Sequence, residues 1–490
     1  MDQVSASYVL ATKTLKGRLI APYQREGVSW MLWRELGGEP KGGFLCDEMG
    51  LGKTVETIAT MLGNPKNKTL LIVPKSIINQ WVEQIEHFAP DLKVYTFDGP
   101  KRATDPSEFA GFQVIIAPYS LLTPKTSKTT VLHQVLWDRI ILDEGHEIRN
   151  PRAKVTRSVV DLKGRIRWIL TGTPVYNSMK DFVSLCNFLN IPKRFVLTAN
   201  QKVKDTFILR RTKEDVSAHN IRLKLPPCDF ENVDLELNED EERLYRQVFT
   251  ECQNKVKTIF KTAQNVSMHA MEILECLLRC RQVLTHPQIY FDGIGRKDGE
   301  EGEVWDKECT KNAYLLAGIM SHPTEKSLVF SQFVSEMDII QSELVSRDVS
   351  VFRIDGSVSR ENREEAIKRF KSSQSHSVFL IQIKAGGQGL NLQEATRVYI
   401  TAPSWNPATE LQAIGRSHRT GQSKKVVVKK LIYTGNENLP SIEEAIVNLQ
   451  GAKSVVCATV LNDQRIVQQI PTQFKNRSMS IKILKKIFHV

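Results

Sequence analysis

CDEMGLGKT, residues 46–54, is the stretch on which the reading of this 490-residue chain turns. It ends as a phosphate-binding loop does, in Gly-Lys-Thr. The common spacing of glycine, four residues and Gly-Lys-Ser/Thr would put a glycine at position 47, where Asp47 stands. Alone, a Gly-Lys-Thr suits a surface turn about as well as a nucleotide site. Its neighbours favour the site: the apolar run GFLC (43–46) precedes it and the helix-compatible VETIATML (55–62) follows. Strand, loop and helix in that order aim a helix N-terminus and successive backbone N–H groups at a phosphate. Lys53 would add a charge at the β/γ-phosphates and the Thr54 hydroxyl would ligate magnesium.

A second apolar run, WDRIILDEGH (137–146), ends in Asp143 and Glu144. Acids after a strand usually make a polar turn. Beyond a strand, loop, Gly-Lys-Thr and helix, such a pair can hold hydrated magnesium and orient or deprotonate an attacking water.

Two long segments alternate short β-branched runs with helix-like patterns, the signature of parallel sheets covered by helices. The expected strands are 43–46, 69–74, 112–118, 137–144 and 166–172 in the first, and 327–332, 350–355, 377–383, 397–402 and 426–433 in the second. The stretch between, 216–310, differs. It opens with an alternation at Val233, Leu235 and Leu237, then NEDEERLYRQVF (238–249), where Asn238 can cap a helix with an acidic first turn. MEILECLLRCRQVL (271–284) predicts a second helix stopped near Pro287, and DGIGRKDGEEGE (292–303) an exposed linker. The fold class is therefore α/β, two parallel-sheet lobes with a helical insertion between them.

Apolar residues make up 41% of the chain and charged residues 25%, with no apolar run near the ~18–20 residues that cross a bilayer. The first residues lack the basic-then-apolar layout of a secretory signal, so an intracellular protein is expected. The eight cysteines form no C-x-x-C pair, and Cys276 and Cys280, four apart among leucines, read as buried thiols rather than metal ligands. Net charge is +12, and residues 451–490 hold seven Lys/Arg against Asp463 alone, a net of +6. That excess suits a solvated tail or nucleic-acid contact equally.

To about residue 450, the order of motifs resembles the Swi/Snf-type ATPases of helicase superfamily two, and a compact, near motor-only member of the kind found in viruses or bacteria. LIAPYQREGVSWM (19–31) is similar to the family's nucleotide-side entry motif, which implies that Gln24 reads adenine. DEMGLGKT is similar to the family's own phosphate loop, so Asp47, Gly50, Gly52, Lys53 and Thr54 become its nucleotide contacts, with Thr54 and Asp143 as magnesium ligands. IVPKSIINQW (72–81) resembles a strand-tracking motif in which Ser76 meets a DNA phosphate, Trp81 being core. LTGTP (170–174) resembles the motif that couples hydrolysis to nucleic acid through Thr171 and Thr173, and His146 would link it to the carboxylates. FILRRTKEDV (207–216) resembles the segment leaving the first lobe, its arginines serving the lobe connection.

The second lobe matches through LVFSQF (328–333), carrying Ser331, through RIDGSVSRENREEAIKRF (353–370), and through IQIKAGGQGLNLQEATRVYI (381–400). In the last, Gly386, Gly387 and Gly389 would let backbone approach a phosphate closely. SWNPATELQAIGRSHRTGQ (404–422) resembles the motif with two arginine fingers, Arg416 and Arg419; His418 has no acid–base role in it. SIEEAIVNLQ (441–450) resembles a brace helix that docks the second lobe on the first, or is an ordinary amphipathic helix. The sequence departs from the family at Ala402-Pro403-Ser404-Trp405, where members often have Asp-Pro-Trp-Trp.

The resemblance implies RecA-like lobes over 1–215 and 311–437, an insertion and linker over 216–310, and a brace helix and basic tail over 438–490. It implies a DNA-dependent ATPase using ATP and Mg2+, translocating along double-stranded DNA and remodelling DNA or protein–DNA complexes. A strand-separating DNA or RNA helicase, or a nucleotide-gated clamp on duplex, are the alternatives. Expected partners are double-stranded DNA and a recruiting protein, with no membrane, for a monomeric motor in nucleus or cytoplasm, or in a virion or viral factory if the source is viral.

Overall fold

The computed structural model describes residues 3–19, 21–123, 129–172, 179–217, 225–263, 265–298, 302–385, 390–419, 421–461 and 487–488. They fold as two compact units, one of residues 1–224 with 455–469 and the other of 225–454 with 470–490.

The first unit is built on seven strands: β1 Gly42–Leu45, β2 Thr69–Val73, β3 Val94–Thr96, β4 Val114–Pro118, β5 Leu136–Asp143, β6 Lys163–Leu170 and β7 Ile208–Leu209. All pair in parallel, in the order β3-β4-β2-β5-β6-β1-β7. Every residue of β1, β2 and β4 is buried, which explains their unbroken apolar runs: helices cover both faces. Alternate residues serve opposite cores, Phe44, Leu70, Ile72 and Leu142 on one face and Leu45, Leu71, Val73 and Ile141 on the other. Because β5, β6 and β1 are neighbours in register, Asp143 pairs with Leu170 and Leu170 with Leu45. The loops after these three strands therefore emerge side by side.

One buried ion pair crosses this unit. Glu35, on the helix Pro22–Leu36, accepts from Arg139 Nε at 2.7 Å and Trp168 Nε1 at 2.9 Å, and its other oxygen accepts from Asn64 Nδ2 at 2.7 Å. Both charged side chains are within 1% of full burial, so each depends on the other.

The second unit has six strands: β8 Cys228–Leu235, β9 Lys326–Ser331, β10 Ser350–Ile354, β11 Ser377–Gln382, β12 Ala395–Ile400 and β13 Val426–Tyr433. They too are parallel, in the order β10-β11-β9-β12-β13-β8. The stretch read as an insertion joins this unit. β8 forms its sheet edge, and the helices Glu239–Thr262 and Ala270–Thr285 place Cys252, Val256, Ile273, Cys276 and Cys280 in one core with Val329, Leu380 and Leu431. Asn238 caps the first of these helices, accepting from Asp240 N and Glu241 N at 3.1 and 2.9 Å. No described helix is long and apolar enough to cross a membrane.

The expected linker at 292–303 is helical as far as Asp298, within the helix Pro287–Asp298. Gln288 Nε2 bonds Asp292 Oδ1 at 2.7 Å one turn on, and Phe291 stacks on Trp305 at 6.3 Å between centroids. Gly293 earns its place by space: a Cβ there would lie 2.4 Å from Arg279 Nη1.

Arg139→Ala would leave Glu35 buried without its guanidinium. A loss of about 3–5 kcal/mol is expected, read as a lower denaturant midpoint for the first unit, and a second change, Glu35→Leu, should recover much of it.

Candidate nucleotide site

The loop after β1 is held open by glycine. Gly50 and Gly52 both adopt φ of +92°, a left-handed backbone that glycine takes without strain. Gly52 caps the helix Lys53–Gly63 and brings no side chain to it, so the first N–H groups and the positive end of the dipole are what the loop presents. Lys53 Nζ folds back onto the loop, donating to Asp47 O at 2.7 Å and Glu48 O at 3.4 Å.

Beneath the loop, Tyr23 OH and Gln24 Nε2 donate to the Leu51 carbonyl at 2.7 and 3.3 Å. Gln24 is buried, its amide turned to the loop carbonyl. A Cβ on Gly52 would sit 2.5 Å from the Gln24 amide, which fixes how closely the two pack. Asp47 is placed otherwise than expected. Its side chain is fully buried and both oxygens accept from Arg211, so it braces the loop from below instead of facing a nucleotide.

At the end of β5, Asp143 accepts from Trp81 Nε1 at 2.7 Å and from the Glu144 amide at 2.9 Å. Burial, reinforced by the adjacent Glu144 charge, raises the Asp143 carboxyl to about 6, while Trp81 and Lys53 oppose the rise. Glu144 turns the chain with φ of +49°, a conformation a non-glycine residue adopts at a cost and which recurs at functional sites. Gly145 follows because a Cβ would come within 2.6 Å of Ile169.

His146 Nδ1 lies 3.3 Å from Glu144 Oε2 and 3.3 Å from Thr171 Oγ1, so it joins the carboxylate to the strand end after β6. Burial lowers its pKa to about 4, and it is a neutral imidazole at neutral pH. The Thr54 hydroxyl and the Asp143 carboxylate are hard oxygen donors, and two acids confined together favour a dication. That donor chemistry fits Mg2+, which commonly takes few protein ligands and completes its shell with phosphate and water.

In the second unit, Arg416 and Arg419 lie in the turn after the helix Pro407–Ile414. Arg416 is buried, donating from Nη1 to Leu390 O at 3.4 Å, while its carbonyl accepts from Leu392 N at 3.0 Å. The Arg419 carbonyl accepts from Gln393 Nε2 at 3.4 Å, and burial lowers its guanidinium pKa. The arginine turn is thus tied to residues 390–393, directly beyond the glycine motif.

Ser76 is exposed on the short turn Lys75–Ile77 past β2, a position open to a phosphate. Ser331 is not: it is fully buried, its hydroxyl bonded to Glu336 and to the Phe333 carbonyl at 2.9 Å, so it closes the end of β9. Thr173, Gly386, Gly387 and Gly389 lie outside the described residues. Sequence reasoning missed Trp81 as the partner of Asp143, and Tyr23, Glu56 and Arg211 around the loop. A tryptophan in an apolar run announces burial, not its indole N–H.

Residues 23–289 match the family model described as the SNF2-related domain. The chain belongs to the SNF2-related family. Residues 310–421 match the helicase conserved C-terminal domain. This SNF2-related chain is 30% identical to the human SWI/SNF-related matrix-associated actin-dependent regulator of chromatin subfamily A member 1, over 100% of this chain and 47% of that protein. It is also 30% identical to YwqA of Bacillus subtilis, a putative ATP-dependent helicase/translocase, over 94% of this chain and 50% of the relative. The chain spans about half the length of these curated relatives. A solved Sulfolobus solfataricus SWI2/SNF2 ATPase core in complex with dsDNA is 27% identical, covering 97% of each chain with a TM-score of 0.41.

Glu336 gives this region a pH dependence. Burial pushes its carboxyl from 4.5 up to about 7, so the folded protein keeps a proton that the unfolded chain releases between those values, and stability falls as pH rises through that window. Glu336→Gln removes the titration. Denaturant midpoints at pH 5 and pH 8 should show the variant gaining on the wild type with rising pH, by up to about 3 kcal/mol.

Proposed function

We propose that the chain is a DNA-stimulated ATPase that translocates along double-stranded DNA and thereby remodels DNA or protein–DNA complexes. The observation that carries this reading is the Asp143–Glu144 pair. It stands at the end of β5, one strand removed from the phosphate loop after β1, with Lys53 close enough to oppose the Asp143 shift.

Lys53 would hold the β/γ-phosphates, and Thr54 with Asp143 would hold Mg2+. Bound ATP·Mg supplies the phosphoanhydride and a cation that neutralises developing charge. Glu144 would orient the attacking water and take its proton, and neutral His146 would hold the Glu144 carboxylate in place. Thr171, bonded to the same imidazole, is where a nucleic-acid contact would be felt by the carboxylate. Arg416 and Arg419 would add charge that stabilises transfer of the phosphoryl group.

Duplex DNA as the track rests on three supports: the +12 net charge, the exposed Ser76, and relatives named for chromatin regulation and for helicase/translocase activity. A recruiting protein, a monomeric motor and a nuclear or cytoplasmic location belong to the same reading.

Glu144→Gln keeps the side-chain shape and loses the base. It should bind ATP normally and hydrolyse it roughly 10²–10⁴-fold more slowly; near-normal turnover in a folded variant would remove Glu144 from this role. Translocation is checked with triplex DNA. ATP should drive release of the third strand after a delay that lengthens with the duplex to be crossed, while a forked duplex stays paired. Unwinding of the fork, with stronger ATPase stimulation by single strands than by duplex, would establish the helicase alternative instead.

A further inference from the structure

The buried cluster beneath the phosphate loop has no part in the chemistry above, yet four separate chain segments converge on it. Arg211 lies where the chain leaves the first unit. Its Nε donates to both oxygens of Asp47 at 3.1 and 3.0 Å, and Nη2 to both oxygens of Glu56 at 2.9 and 2.8 Å and again to Asp47. Nη1 donates to the Tyr23 carbonyl, and the guanidinium sits 4.9 Å from the Tyr23 ring centroid. Gly27 makes the room: a Cβ there would lie 1.9 Å from Glu56 Oε2 and 2.8 Å from Arg211 Nη2.

The backbone repeats the connection. Cys46 N donates to Leu209 O at 2.7 Å, Arg211 N to Asp47 Oδ1 at 2.9 Å, Glu48 N to Arg211 O at 2.9 Å and Lys213 N to Glu48 Oε2 at 2.9 Å. Residues 46–48 are thus bonded on one side to residues 209–213. On the other side, the carbonyls of Asp47 and Glu48 are the ones that hold the Lys53 ammonium.

We propose that Arg211 is a positioning residue of the nucleotide site: through Asp47 and Glu56 it fixes the loop carbonyls that place Lys53, and it makes the loop's shape depend on the segment leaving the first unit. The inference deepens the ATPase reading and rests on it. Arg211 itself touches no substrate, because its guanidinium is occupied by two carboxylates and a carbonyl. A lysine at this position keeps the charge but has no planar fork to bridge both acids.

The test is steady-state ATPase of full-length Arg211→Lys with duplex DNA, together with the Kd of a fluorescent ATP analogue, measured well below the melting temperature of each protein. KM for ATP and the analogue Kd should rise together by roughly ten- to a hundredfold, the range seen when groups that orient metal ligands are removed. kcat should fall far less, since Glu144 and its partners are untouched. Asp47→Asn, which keeps the shape and removes the charge, should reproduce the rise, and the double variant should add little to either single change. A fall in melting temperature with KM and Kd unchanged would make the cluster a matter of folding alone and overturn the proposal. If Arg211→Lys fails to fold, Asp47→Asn decides by the same two quantities. Absence of DNA-stimulated hydrolysis in the wild type would instead sink the ATPase reading, and the analogue Kd would still report whether Arg211 shapes a nucleotide site.

Discussion

A parallel strand covered by helices on both faces has no solvent side, so a polar group along it needs a buried partner, as Arg139 of β5 has in Glu35, and a group that must reach a ligand stands at or beyond the strand's end. The structure follows from that constraint. β1, β2 and β4 contain no exposed position, and Lys53, Asp143 and Thr171 stand at the strand ends or just beyond them. Register then decides which loops meet. With Leu45, Leu170 and Asp143 paired across β1, β6 and β5, a loop that binds phosphate and a loop that carries acids become neighbours without any dedicated contact.

The same constraint governs the buried charges. Three buried carboxylates of the first unit are answered by an arginine from a distant part of the chain: Glu35 by Arg139, Asp47 and Glu56 by Arg211. In the second unit Lys311 is answered by Glu443, 2.7 Å away on the helix Ile442–Leu461. Such pairs contribute little net stability, but leaving one half alone is costly, so they specify which segments must come together. Lys311–Glu443 fastens the start of that C-terminal helix to the second unit.

Ten of the thirteen described strands were legible in the sequence as apolar runs, unbroken where both faces are buried as in β1, β2 and β4, and the phosphate loop because glycine is the residue that takes φ near +90° without strain. β3 and β7 were not, being only three and two residues long. β8 is mostly exposed along its first half, and only Val233 and Leu235 carried an alternation. Within the site, residue types were legible and their partners were not. Asp47 was noticed for standing where a glycine was expected, yet nothing local shows that its carboxylate turns toward Arg211, 164 positions on. Ser331, expected among the nucleic-acid or coupling residues, is bonded to Glu336 five residues later, a partner nothing in the motif announces.

Gly27 shows how such a partnership is recorded where no side chain exists to record it. It sits inside the helix Pro22–Leu36, where alanine would be worth about 1 kcal/mol more to helix formation. The helix forgoes that gain because the missing methyl is the volume filled by Glu56 and Arg211. A routine programme of thermostabilisation, replacing helical glycines with alanine, would therefore trade local order for a displaced charge cluster. Under selection, this position should be held by the shape of two side chains that lie 29 and 184 residues away.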